Sequence, residues 1–128
     1  MKILFLGDIV GPSGCMVVEK YLKKIVEENK INFVIANGEN AAHNGVGITK
    51  DVLDNLIKFG VNVLTTGNHV WDHKETLKLV EDDNRLLRPF NLIGISPGKG
   101  FEIYQTSKNF KIGVLNLMGN VFMRKSED

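Results

Sequence analysis

Three short apolar runs near the start of this chain each break into a glycine followed at once by polar side chains. KILFL runs into Gly7-Asp8, NFVIAN into Gly38-Glu39-Asn40, and NVLTT into Gly67-Asn68-His69. Amphipathic segments lie between them. A chain that alternates buried-strand runs with amphipathic helices has few ways to fold: a parallel sheet, right-handed crossovers, and helices packed on the sheet. In that arrangement the three runs point the same way. Asp8, Glu39, Asn40, Asn68 and His69 then gather at one edge of one sheet, where open α/β folds place their ligands.

The pattern between the runs supports this architecture. Residues 2–7 read as a buried strand. Residues 15–29 carry Val17, Val18, Tyr21, Leu22, Ile25 and Val26 on one helical face, with Glu19, Lys20, Lys23, Lys24, Glu27 and Glu28 behind. Residues 32–36 are a second strand. The loop GENAAHNGVG then leads to Thr49 as N-cap of a helix bearing Val52, Leu53, Leu56 and Ile57, with Gly60 at its C-terminal cap. Residues 61–65 form the third strand, and a short helix is expected from residue 73, with Asp72 and Glu75 as a capping box. Beyond Pro89 the character changes: residues 101–106 and 110–117 flank Ser107-Lys108-Asn109 as a hairpin. The expected fold class is α/β, a largely parallel sheet with flanking helices and a C-terminal antiparallel hairpin. The stretch Leu115-Asn116-Leu117-Met118-Gly119-Asn120 reads as another strand running into a functional edge.

Size and charge narrow the function classes. A chain of 128 residues suits one domain. Sixteen basic against 15 acidic residues give a net charge of +1, which is no footprint for nucleic acid or an anionic membrane. No apolar run approaches the roughly 18 residues of a membrane span. MKILFLGD breaks into Gly7-Asp8 too soon for a signal peptide. Cys15 is the single cysteine, so no internal disulfide can form, and a cytoplasmic setting is expected.

Two carboxylates at neighbouring strand ends repel each other unless something positive lies between them, and a divalent cation keeps both ionised. Asp8 and Glu39 are natural ligands, and one of them could bridge two ions. Asn40 and Asn68 can each add a neutral carbonyl oxygen, which hard or borderline cations accept. His69, next to Asn68, points differently from its neighbour and is better placed to protonate a leaving oxygen. Each residue alone has a plainer reading: Asp8 a helix cap, Glu39 a solvated charge, Asn40 or Asn68 a turn residue, His69 a structural histidine. Their convergence after three successive strands carries the metal reading. Asp72 reads as a helix cap rather than a ligand, His73 as a surface residue, His43 as a loop residue either solvated or facing substrate. Cys15 and Trp71 read as packing residues. The segment from Gly7 to Gly14 matches neither G-x-G-x-x-G nor G-x-x-x-x-G-K-[ST], so dinucleotide and P-loop readings fail.

Taken together, GDIVG at 7–11, NGENAA at 37–42, GVGIT at 45–49, TGNHVWD at 66–72, LLRP at 86–89 and NLMG at 116–119 resemble the YmdB-type bacterial metallophosphoesterases of the calcineurin-like superfamily. The wider superfamily has a histidine two residues after the first aspartate, where this chain has Val10. The resemblance implies a two-metal phosphodiesterase acting on a small-molecule substrate, 2′,3′-cyclic nucleotides, with Fe, Mn, Mg or Zn as the divalent ions. By motif, Asp8, Glu39 and Asn40 would bind the first metal, Glu39 would bridge to a second held by Asn68, and His69 would be the proton donor.

Members of that family are longer, and their second half supplies further histidine ligands that have no counterpart here. The resemblance therefore implies that residues 1–128 are the N-terminal part of a single metallophosphoesterase domain, half of its α/β sandwich. Four side-chain ligands cannot saturate two cations that each want roughly four to six donors. The expectation for the chain alone is a half-site with weak metal binding, little turnover, and an uncovered apolar face open to homo-oligomerisation. A non-catalytic module that binds nucleotide or a partner is the competing reading. A flavodoxin-like phosphate-binding domain is a third, disfavoured because paired carboxylates repel an anion unless a metal intervenes.

Overall fold

A computed structural model describes residues 1–94, 96–106, 109–121 and 123. The elements run β1 (Ile3–Asp8), α1 (Gly11–Asn29), β2 (Phe33–Asn37), α2 (Lys50–Phe59), β3 (Val63–Thr65), α3 (Thr76–Asp82), β4 (Leu86–Leu87), β5 (Phe101–Gln105) and β6 (Lys111–Leu115). The first four strands form a parallel sheet in sequence order, and β5 pairs with β6 as an antiparallel hairpin. This is the α/β fold expected. Within the hairpin turn, Ser107 and Lys108 lie outside the described residues, while Asn109 takes a left-handed φ of 60°.

Several boundaries differ from the sequence reading, each for a local reason. Helix α1 begins at Gly11 rather than residue 15, because Pro12 sits in its first turn. There the fixed φ suits a helix and the missing N–H is not needed. Thr49 does occupy the cap position of α2 with extended backbone, but its side chain makes no capping bond. Gly60 closes α2 as expected: at φ 114° it donates its N–H to Ile57 O at 3.0 Å, and Val61 N–H reaches Leu56 O at 3.1 Å. Helix α3 starts only at Thr76, and the Asp72–Glu75 capping box does not form. Glu75 itself stands at the cap position in helical conformation, without a side-chain cap bond. Thr76 is buried and its hydroxyl donates to Ile48 O at 2.9 Å, which ties the start of α3 to the loop before α2.

The two faces of the parallel sheet are treated differently. Consecutive strand order with crossovers of one hand puts every helix on the same face. On that face Leu4, Leu6, Val34, Ala36, Leu64 and Leu86 pack against Val18 and Leu22 of α1, Leu53 and Leu56 of α2, and Leu79 and Val80 of α3. On the opposite face Phe33, Val63 and Leu87 pack against Ile112 and Val114 of β6. The hairpin reaches β2, β3 and β4 but leaves the same face of β1 open, where Ile3 is 45% and Phe5 60% exposed. Among the described residues no helix is long and apolar enough to cross a membrane.

Asn116 fastens the hairpin to the sheet. It is buried, and its Nδ2 donates to Thr66 O at 2.9 Å and Leu87 O at 3.0 Å, at the ends of β3 and β4. Its own backbone accepts from Phe90 N–H at 2.7 Å and donates to Gly100 O at 2.9 Å. The sequence reading ran this segment into a functional edge; Asn116 to Gly119 do border the cavity beside Glu39 and Asn68, while the Asn116 carboxamide is committed to a structural joint. Asn116→Leu keeps the volume but takes the side-chain donor from Thr66 O, while Leu87 O keeps the Thr66 N–H and hydroxyl. That substitution is expected to lower stability by about 2 kcal/mol, read as a drop in the urea midpoint at constant slope. An unchanged midpoint would mean that apolar contacts alone hold the hairpin.

Candidate functional site

Parallel register sets the strand ends level: Asp8 pairs with Asn37 and Asn37 with Thr65. The register shifts between Leu6 and Asp8, a bulge at Gly7 that re-aims the following side chain. Asp8 is exposed and its Oδ2 accepts a hydrogen bond from Asn40 Nδ2 at 2.9 Å. The loop after β2 is stapled to both neighbours. Gly38 N–H donates to Thr65 O at 2.9 Å, Glu39 N–H to Asn37 Oδ1 at 3.2 Å, and Gly11 N–H to Asn40 O at 2.9 Å.

Glu39 is half-buried, with its carboxylate laid against the backbone of Gly67. A Cβ at Gly67 would stand 2.0 Å from Glu39 Oε2, so glycine is what lets the carboxylate lie here without moving aside. Glu39 Oε1 accepts from the backbone N–H of His69 at 3.2 Å. Glu39 and Asn68 border a cavity of about 510 Å³ whose walls also include Asn37, Thr65 and Thr66 on the polar side and Phe5, Leu115 and Leu117 on the apolar side. The five candidate residues thus form two groups along one edge: Asp8 with Asn40, and Glu39 with Asn68 and the His69 peptide.

The His69 ring faces a partner that the sequence reading assigned elsewhere. Its Nδ1 lies 2.7 Å from Asp72 Oδ2, with the two side chains 38% and 45% exposed. Asp72 is therefore a histidine partner and not a helix cap. The His-x-x-Asp spacing was visible in the sequence but served equally well as a capping signal. His73 is not a surface residue either: half-buried, its Nε2 meets Val46 O at 2.9 Å and braces the glycine-rich loop. His43 is exposed. Cys15 packs beside the helix-side core with Sγ 3.6 Å from Ala41 O, and burial pushes its thiol above the usual range, as suits a packing residue. Trp71 packs against the same core.

The donors are oxygens: two carboxylates and two carboxamides. Among the described residues neither Asp8 nor Glu39 has a Lys or Arg within ion-pair distance. Nor do three His, Cys, Asp or Glu side chains come together there closely enough to hold a metal ion. Carboxylates without a cationic side chain, one of them seated in a cradle that a Cβ would fill, fit a hard divalent cation. They would supply part of its shell.

A parallel α/β sheet whose C-terminal edge collects acidic and carboxamide side chains beside a braced histidine is the framework of a phosphatase-like fold. This chain belongs to the YmdB-like protein family, whose model matches residues 4–128. Over 128 residues it is 41% identical to the 2′,3′-cyclic-nucleotide 2′-phosphodiesterase of Bacillus subtilis (strain 168), covering 100% of this chain and 48% of that protein. It superposes on the crystal structure of a hypothetical protein from Thermus thermophilus with a TM-score of 0.91 at 36% identity, covering 100% of this chain and 49% of that one. The crystal structure of a novel phosphatase from Mycoplasma pneumoniae gives a TM-score of 0.90 at 31% identity, with 100% and 47% covered. The chain spans about half the length of the relatives it matches.

The seat of Glu39 can be tested without any ligand. Gly67→Ala forces the carboxylate away and releases the His69 N–H. The expected result is a chain that still folds, in which the His69 amide exchanges faster with solvent and shifts in the ¹H–¹⁵N spectrum. An unmoved His69 amide would show that Glu39 does not rest against Gly67.

Proposed function

We propose that this chain carries one wall of a metal-dependent phosphodiesterase site that acts on 2′,3′-cyclic nucleotides. Asp8, Glu39, Asn40 and Asn68 would hold divalent cations, Glu39 between them, and His69 would protonate the leaving oxygen. Divalent cations held there would provide a nucleophile at neutral pH and offset the charge on the phosphoryl oxygens. The observation that carries the reading is the pair of carboxylates, unmatched by Lys or Arg among the described residues, on the edge where the strands end level. The name of the Bacillus subtilis relative supports the cyclic substrate. The apolar wall of Phe5, Leu115 and Leu117 gives a nucleobase or sugar a surface beside the polar groups.

His69 suits the acid role on chemistry and position. Its backbone holds Glu39 while its ring is turned away to Asp72, so the imidazole is not spent as a ligand beside Asn68. The second reading, a non-catalytic nucleotide-binding module, draws on the donor count: four oxygen donors fall short of the roughly four to six that each of two ions requires.

Metal analysis separates these readings. The 128-residue chain is expected to bind Mn²⁺ or Mg²⁺ weakly, with Glu39→Gln weakening binding further. Two tightly held transition-metal ions per chain, without a partner supplying ligands, would overturn the half-site. Metal binding that is unchanged in Glu39→Gln would remove Glu39 from the bridging role. Where cyclic phosphodiesterase turnover is measurable, His69→Ala is expected to lower it by about 10²- to 10⁴-fold. Nucleotide binding with no turnover under any metal would favour the regulatory module.

A further inference from the structure

The turn from Gly67 to Asp72 uses His69 at both ends, and this geometry assigns a role to a residue outside the proposed ligand set. We infer that Asp72 is the positioning residue of His69: its carboxylate fixes the imidazole through Nδ1, so that Nε2 is the nitrogen left to face a leaving oxygen. The inference rests on the phosphodiesterase reading for its catalytic consequence, and on the His69–Asp72 contact alone for its structural part.

Asp72 has no other evident task. Helix α3 begins at Thr76, and its cap position is Glu75, without a side-chain cap bond. The Asp72 carboxylate instead meets His69 Nδ1 at 2.7 Å, the length of a charge-assisted hydrogen bond. An ordinary exposed ion pair at this spacing stabilises a turn by about 0–1 kcal/mol and does nothing more. Here the peptide of the same histidine is also held, its N–H on Glu39 Oε1 at 3.2 Å, and Asn68 stands one residue before it. With the backbone fixed by Glu39 and the ring by Asp72, the imidazole is constrained at both ends.

The imidazole is rigid and planar, so a carboxylate on Nδ1 leaves Nε2 on the far side of the ring. The side chain as a whole is 38% exposed. The step starts from a ring with a proton on each nitrogen: when the P–O bond breaks, the electron pair stays with the departing oxygen and the Nε2 proton moves to it. The ring is left as its Nδ1–H tautomer, the one whose remaining N–H points at Asp72. Asp72 thus selects the product tautomer of the proton transfer as well as the orientation of the donor.

The first test reads the ring itself in the 128-residue chain, which has three histidines to resolve. Long-range ¹H–¹⁵N correlation of neutral His69 should show the Nδ1–H tautomer in the wild type and in Asp72→Asn, whose carboxamide oxygen still accepts. Asp72→Ala should return the ring to the Nε2–H form favoured by free histidine in water. The same tautomer in wild type and Asp72→Ala, with the remaining amide spectrum unchanged, overturns the positioning role.

The second test separates positioning from mere stabilisation of the turn. With Mn²⁺ supplied, Asp72→Ala should lose about 10²-fold in turnover of a 2′,3′-cyclic nucleotide, whose leaving alkoxide needs a proton. It should keep turnover of bis(p-nitrophenyl) phosphate, whose leaving group does not, and Asp72→Asn should recover part of the loss. Equal losses on both esters would reduce Asp72 to a structural brace. If the wild-type chain cleaves neither ester, as expected of one wall of the site alone, the tautomer measurement judges the contact by itself.

Discussion

A slip of one residue between β1 and β2 would turn every side chain of one strand to the other face of the sheet. The observed register, Ile3 on Phe33 and Asp8 on Asn37, therefore decides both what is buried and what reaches the site. It sends Leu4, Leu6, Val34 and Ala36 into the helix-side core, and it brings the polar residues that follow each strand to one level. Apolar packing on one face thus fixes carboxylate placement at the edge. The loop bonds from Gly38 to Thr65 and from Gly11 to Asn40 carry that alignment past the ends of the strands.

Beyond the strands, the turn after β3 joins the parts of the site. Gly67 makes room for the Glu39 carboxylate, Asn68 borders the same cavity, the His69 N–H holds Glu39, and Asp72 takes the His69 ring. Four separate polar choices in one short segment serve each other. That is the consistency across levels expected where a sequence specifies local geometry closely. On the other side, His73 braces the glycine-rich loop through Val46 O, so the loop carrying Glu39 and Asn40 is held from its far end too.

The sequence revealed most of this framework because its signals are local. Strand runs ended by glycine, the face of Leu22 and Val18, and the Gly60 cap depend on spacing alone. What escaped depended on tertiary contacts or on ambiguous spacing. Leu86–Leu87 is too short to show a period, and only its partners in β3 make it a strand. The early start of α1 rests on Pro12, which adds nothing to an apolar pattern. Asp72 three residues after His69 and three before Glu75 satisfies two motifs at once, and only the absence of a cap bond decides between them. Asn116 does border the edge cavity, but its structural role escaped because its carbonyl partners lie about 30 to 50 residues away in sequence.

The two faces of the sheet explain why the site reads as one wall. The helix face is closed by three helices, whereas the other face is covered by a hairpin that stops short of β1. Phe5, on that open side, borders the same cavity as Glu39 and Asn68. A surface laid over Phe5 would also narrow this cavity and take water from around the Glu39 carboxylate. Glu39 has the His69 N–H but no cationic side chain among the described residues; desolvating an ionised group without a counter-charge costs on the order of several kcal/mol, and a cation beside it would offset that cost. Under the proposed metal reading, covering the apolar face and binding a cation would be linked by electrostatics: the polar site would gain most from a cation with the open sheet beside it closed.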